Sequence, residues 1–196
     1  MTRGLASLLV LVTACALTSR SEPRELRYFA PELAPAASFV GPPCGRLRLG
    51  HVVSGSGLRL AIQHRISPVE LESYETLRWT ESPEAYARRA LVRALFARPL
   101  EQVTAGPAFV LDVEVLAFEE VVRDTSRGGR VVMRYEVRNA KQVVARGEAA
   151  ALRPASNTAI GAVVVAIGDA LTAASDQLAD RVVAASCNRG AVGILP

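Results

Sequence analysis

The last long apolar segment, residues 157–186, constrains this chain more than any other stretch. Ile160, Val164, Ile167, Leu171, Ala174, Leu178 and Val182 recur there at spacings of four and three, so a helix would carry one continuous apolar seam with Asp169 and Asp176 pointing away from it. A helix of this length must bury such a stripe against another layer. A membrane span is disfavoured, because Asp169 interrupts the apolar run after about ten residues, whereas crossing the hydrocarbon core takes roughly 20. The simplest use of the seam is packing on a sheet. The alternative is docking a partner helix.

The preceding sequence supplies the sheet. Residues 107–122 ("PAFVLDVEVLAFEEVV"), 130–139 and 141–152 are strand-like, and Val113 and Val115 alternate with Asp112 and Glu114. That alternation turns the carboxylates outward along a strand rather than converging them as an acid and base. "SRGG" (126–129) and "NAKQ" (139–142) are expected as hairpin connections, giving an antiparallel meander. Earlier strand patterns cover 46–53, 58–66, with Leu58, Leu60, Ile62 and His64 on one face, and 71–79. Between the two groups, Ser82, Pro83 and Glu84 form a helix-start signal, and Pro99 marks its end. Ala87, Leu91, Ala94 and Leu95 form that helix's apolar stripe. Arg88, Arg89 and Arg93 take the remaining faces, either as solvated charges or as contacts to a partner or lipid headgroups. The expectation is a single α/β domain: a mixed, largely antiparallel sheet of about six strands packed against two helices.

The N-terminal residues carry a different signal. A charge at Arg3 precedes an apolar run of about 13 residues, Leu5 to Leu17, too short for a span and suited to a signal-peptide core. "VTAC", Val12 to Cys15, resembles a bacterial lipobox, in which small residues precede a cysteine that is lipidated and becomes the first residue of the mature chain. The alternative is an ordinary signal peptide with a chance cysteine. With the lipobox, residues 1–14 are the signal peptide, 15–43 a lipidated Pro-rich tether and 44–196 the domain. A diacylglyceryl group plus an N-acyl chain exceeds the two-signal threshold for stable membrane anchoring.

With Cys15 lipidated, Cys44 and Cys187 are the two remaining cysteines, and an exported chain meets an oxidising compartment. A disulfide between them would tie the ends of the fold together; two unpaired buried thiols are the alternative. Chemistry is hard to place. The two histidines, His51 and His64, lie in no nucleophile or metal-ligand motif, so neither a catalytic residue nor a metal site is expected. Gly55 and Gly57 lack the third glycine of a dinucleotide fingerprint and the lysine of a phosphate loop. No cofactor is expected. A net charge of +4, with scattered arginines, does not argue for nucleic acid.

Residues 74–96, "YETLRWTESPEAYARRALVRALF", together with 110–120, "VLDVEVLAFEE", resemble the ABC-type transport auxiliary lipoproteins, the PqiC-like family. The shared elements are the lipobox, a "Y…RW" strand end, a following helix, and a strand closing on an aromatic and acidic pair, here Phe118 and Glu119. The resemblance extends from about Cys44 to Cys187. It implies a non-enzymatic envelope lipoprotein that works with an ABC permease and an MCE-type protein in moving lipids or other hydrophobic compounds between membranes. It also implies that Cys15 is the anchor and that Tyr74 and Trp79 are structural. Homo-oligomerisation is compatible with it. Ala16 after the anchor leaves outer-membrane sorting open, with the body facing the periplasm. A stand-alone envelope lipoprotein carrying a hydrophobic ligand between sheet and helices is the alternative.

Overall fold

The computed structural model describes residues 24–35 and 39–187. In chain order the elements are β1 (Arg27–Phe29), β2 (Gly45–Ser54), β3 (Ala61–Arg65), β4 (Leu71–Trp79), α1 (Pro83–Phe96), β5 (Leu100–Gln102), β6 (Phe109–Arg123), β7 (Ser126–Arg138), β8 (Val143–Pro154) and α2 (Ile160–Cys187). The strands form one mixed eight-stranded sheet and the helices pack on one of its faces. The two strands beyond the six expected, β1 and β5, have three residues each, too few to show alternation.

Strand β6 organises the sheet. One edge pairs antiparallel with β7, which continues to β8, so the expected meander is present. The other edge is shared end to end: Leu47–Ser54 of β2 run parallel to the first half of β6, and Gln63–Arg65 of β3 run parallel to Glu119–Val121 in the second half. A shift in register between Val115 and Ala117 separates the halves. β3 then pairs antiparallel with β4, β4 parallel with β1, and β2 parallel with β5.

Two local expectations are corrected. "SRGG" is not a turn: Arg123 pairs with Ser126, so the hairpin closes at Asp124–Thr125, with Asp124 at φ 48° in the left-handed region that Asp tolerates. Gly128 and Gly129 lie inside β7, and a Cβ at Gly129 would sit 2.3 Å from the Ile167 backbone nitrogen. The glycine therefore permits close approach of α2 to the sheet. Leu60 does not share the apolar face of Leu58 and Ile62, because β3 begins only at Ala61 and Leu60 is 47% exposed before it.

The core lies between sheet and helices. The α2 seam from Val164 to Val182 is buried, as are Ala87, Leu91, Ala94 and Leu95 of α1. By length and composition α2 could cross a membrane, but 61% of its most apolar stretch is buried within the domain. Trp79, Tyr86 and Phe118 join β4, α1 and β6 in an aromatic cluster, with Trp79 edge-on to Phe118 at 5.1 Å and Tyr86 stacked on it at 6.0 Å. Arg98 ties the helices together, donating to Asp180 at 2.8 Å and to the Asp176 carbonyl at 3.1 Å. At the start of α1, burial pushes the Glu84 carboxyl up, but bonds from the Ser54 and Ser82 hydroxyls and its own backbone N–H outweigh it and leave the pKa lowered.

Within the stretch read as a tether, Arg27–Phe29 add the edge strand β1, Pro31 is buried, and the Glu32 backbone lies against Gly168 of α2. Cys44 and Cys187 are joined in a disulfide, their Cα atoms 5.2 Å apart across 143 residues of chain. Closing so long a loop stabilises the fold by up to roughly 5 kcal/mol through chain entropy.

Candidate functional site

The face of β6, β7 and β8 turned away from the helices is polar and ordered in rows. Register places Asp112, Glu136 and Arg146 in one row and Glu114, Arg134 and Glu148 in the next. Arg134 bridges its row, donating to Glu114 at 3.2 Å and to Glu148 at 3.3 Å. Asp112 pairs with Arg138 at 2.5 Å and accepts the His51 backbone N–H at 2.8 Å. Each exposed pair contributes little stability, on the order of 0–1 kcal/mol, but cross-strand pairing holds these side chains in a fixed pattern. Together with Val53 and Tyr135 they line an open cleft of about 580 Å³. A second cleft, about 620 Å³, lies towards the other end of β6 between Arg65, Ile66, Val121, Arg130 and Leu152.

Between the clefts lies the acidic pair of β6. Glu119, 1% exposed, accepts from Arg65 of β3 at 2.6 and 3.1 Å and from Arg130 of β7 at 2.8 Å. Glu120, equally buried, accepts from the Tyr74 hydroxyl at 2.6 Å and from Arg127 at 2.9 Å. Both carboxylates are therefore compensated charges that clamp β3, β4 and β7 to β6, as buried charges must be. Burial, and then the bond to Glu120, push the Tyr74 phenol from 10.0 to about 12. The bond to Glu119 raises the Arg65 pKa against the opposing effect of burial.

The other sequence-derived candidates are dispersed. Arg88 and Arg89 are exposed; Arg88 donates to the Gly50 carbonyl at 2.7 Å, and Arg89 pairs with Glu81 and covers the Tyr86 ring. Arg93 is drawn inward, its side chain 17% exposed and 3.4 Å from Asp176 of α2, so it belongs to the helix–helix contact rather than to an open face with the other two. Cys15 and the signal segment lie outside the described residues. His64 packs on Tyr74 and lies 3.3 Å from Glu72, and His51 is exposed. Among the described residues no group of three potential metal ligands comes together.

The charge rows were missed from sequence, although alternating acids and arginines at 112–114, 134–138 and 146–148 signal them. The guanidinium partners of Glu119 and Glu120 had no local signal, because Arg65 and Arg127 meet them only through strand pairing.

The model of the family described as "ABC-type transport auxiliary lipoprotein component" matches residues 59–179. The chain belongs to that family. It is thus a transport auxiliary lipoprotein of the cell envelope, in a family that is not a known enzyme class. The matched region runs from the approach to β3 to the middle of α2, and so takes in the aromatic cluster, the acidic pair and the charge rows.

Solved structures share the fold at low identity. Protein XCC0632 from Xanthomonas campestris is 20% identical, with a TM-score of 0.71 over 81% of this chain and 96% of that one. The hypothetical protein CT253 from Chlamydia trachomatis is 12% identical, with a TM-score of 0.54 over 74% of this chain and 98% of that one. No curated protein matches the chain.

Proposed function

We propose that this auxiliary lipoprotein is held on the outer membrane by lipid on Cys15, faces the periplasm, and acts by docking to an ABC permease and an MCE-type protein that move hydrophobic cargo between membranes. The observation that carries the docking reading is the helix-free face of β6–β8. Its charges are prearranged by cross-strand pairing around an open cleft. Arg88 and Arg89 offer a second contact patch. The space between sheet and helices, where a lipid carrier would need room, is filled by side chains such as Leu47, Phe118, Met133, Ile167 and Leu171, each at most 1% exposed.

The test is a crosslinking pull-down from native membranes with the full-length protein, a Cys15→Ala variant and an Arg134→Glu variant. The expected result is capture of transporter components by the wild type, weakened by loss of the anchor. Arg134→Glu sets a third carboxylate between Glu114 and Glu148 and should abolish capture without changing the fold. Undiminished capture by Arg134→Glu refutes this face, and capture of no transport component by the wild type refutes the accessory role.

A further inference from the structure

We propose that one end of the domain, built from the β3–β4 and β6–β7 hairpin tips and the end of β8, rests on the bilayer that carries the lipid anchor. The strand registers bring these parts to one end: Arg65 pairs with Val121 and with Leu71, and Pro154 pairs with Gly128, itself opposite Val121. Large apolar side chains protrude there. Val69 is 95% exposed, and Ile66, Leu71 and Leu152 are each between 41% and 43% exposed. The start of α2 points to the same end, because Gly129 packs on Ile167, and its first turn carries no acidic residue. At the far end of β6–β8 the Asn139–Gln142 turn is polar, with the Asn139 side chain accepting two backbone N–H bonds, and beside it Val143 is 38% exposed, less than any of the four apolar side chains at the tips.

The path of the chain selects the bilayer as the occupant, an inference that rests on lipidation of Cys15. β1 runs parallel to β4, with Arg27 beside Leu77, and Arg24 pairs with Glu75. Followed backwards, the chain therefore heads for the start of β4 at Leu71, four residues, or roughly 13 Å, from the level of Glu75. Nine Cα–Cα steps separate Cys15 from Arg24, a reach of at most about 30 Å. That length is enough for the anchor to reach the plane of the hairpin tips, whereas presenting the opposite end to the membrane would require the chain to double back. Arg123 and Arg153 at this end are balanced by Glu70 and Asp124, so the contact is apolar insertion at the headgroup boundary rather than attraction to anionic lipid.

The test uses the lipidated full-length protein in vesicles of phosphatidylethanolamine and phosphatidylglycerol with brominated acyl chains. Val69→Trp and, at the opposite end of the β3–β4 pair, Leu60→Trp report position by fluorescence against the constant background of buried Trp79. Both sites are exposed, so the fold tolerates the change. Flotation with the vesicles, together with a blue-shifted and strongly quenched signal at 69, an unquenched one at 60 and insensitivity to salt, is the expected result. Flotation without quenching at 69 overturns the tip-down orientation while leaving the anchor in place. Failure to float overturns the anchor reading and the orientation with it. No quenching at 69 on vesicles alone, together with a blue shift at 69 that develops only when transporter is added, would assign the tips to a protein partner and also overturn the proposal.

Discussion

Replacing Gly129 by alanine should loosen the main helix–sheet contact of the domain. A Cβ there would lie 2.3 Å from the Ile167 nitrogen, 2.4 Å from the Ala166 carbonyl carbon and 2.5 Å from the Ile167 Cα, where ordinary contact begins near 3.4 Å. All three neighbours are helix backbone, so no side chain can swing aside and α2 must retreat by roughly 1 Å, withdrawing Val163 and Ile167 from the sheet. Overpacking of this kind costs about 1–3 kcal/mol, and a backbone neighbour places it near the upper figure. Gly129 does not have positive φ, so alanine recovers roughly 0.4–1 kcal/mol by restricting the unfolded chain. The net loss is about 2 kcal/mol, a fall in Tm of about 4–8 °C for a domain of this size. Urea titration and scanning calorimetry of the oxidised protein would measure it. Gly161→Ala, in the first turn of α2, exposed and with no neighbouring atom within 4 Å of the added Cβ, is the control and should be neutral or slightly stabilising. Equal stability of Gly129→Ala and wild type would refute the close approach.

Glu119→Gln should destabilise by about 2–3 kcal/mol, below the 3–5 kcal/mol of a fully buried broken pair because Arg65 and Arg130 can each turn partly to water; chemical denaturation would show it, and a neutral effect would remove the clamp role. The raised pKa of Tyr74 predicts stability fully present below pH 10.0 and lost as pH rises towards about 12, since the folded state holds the phenol proton that the unfolded chain releases first. A Tyr74→Phe variant should lack that part of the alkaline decline, as followed by calorimetry and tyrosinate absorbance.

Much of the architecture was legible because it is local and periodic. The β4 pattern at 71–79, the start of α1 at Pro83 and the α2 seam each follow from repeats that a few residues reveal. The reading failed where spacing was ambiguous. The paired glycines at 128 and 129 look like a turn locally, and only the approach of α2 shows that they are strand residues without side chains for the sake of packing. Leu60 matched an alternation that begins one residue later.

By itself the sequence determined the class of the domain and the family to which it belongs, because helical seams and strand alternation are written along the chain. Tertiary structure alone decided that β2 and β3 share one edge of β6, that the acidic pair is clamped by Arg65, Arg127 and Arg130, that Arg93 serves the helix contact, and that the hairpin tips meet at one end. Each of these is a meeting of residues distant in sequence, set by strand register and by the burial that makes an unpaired charge costly.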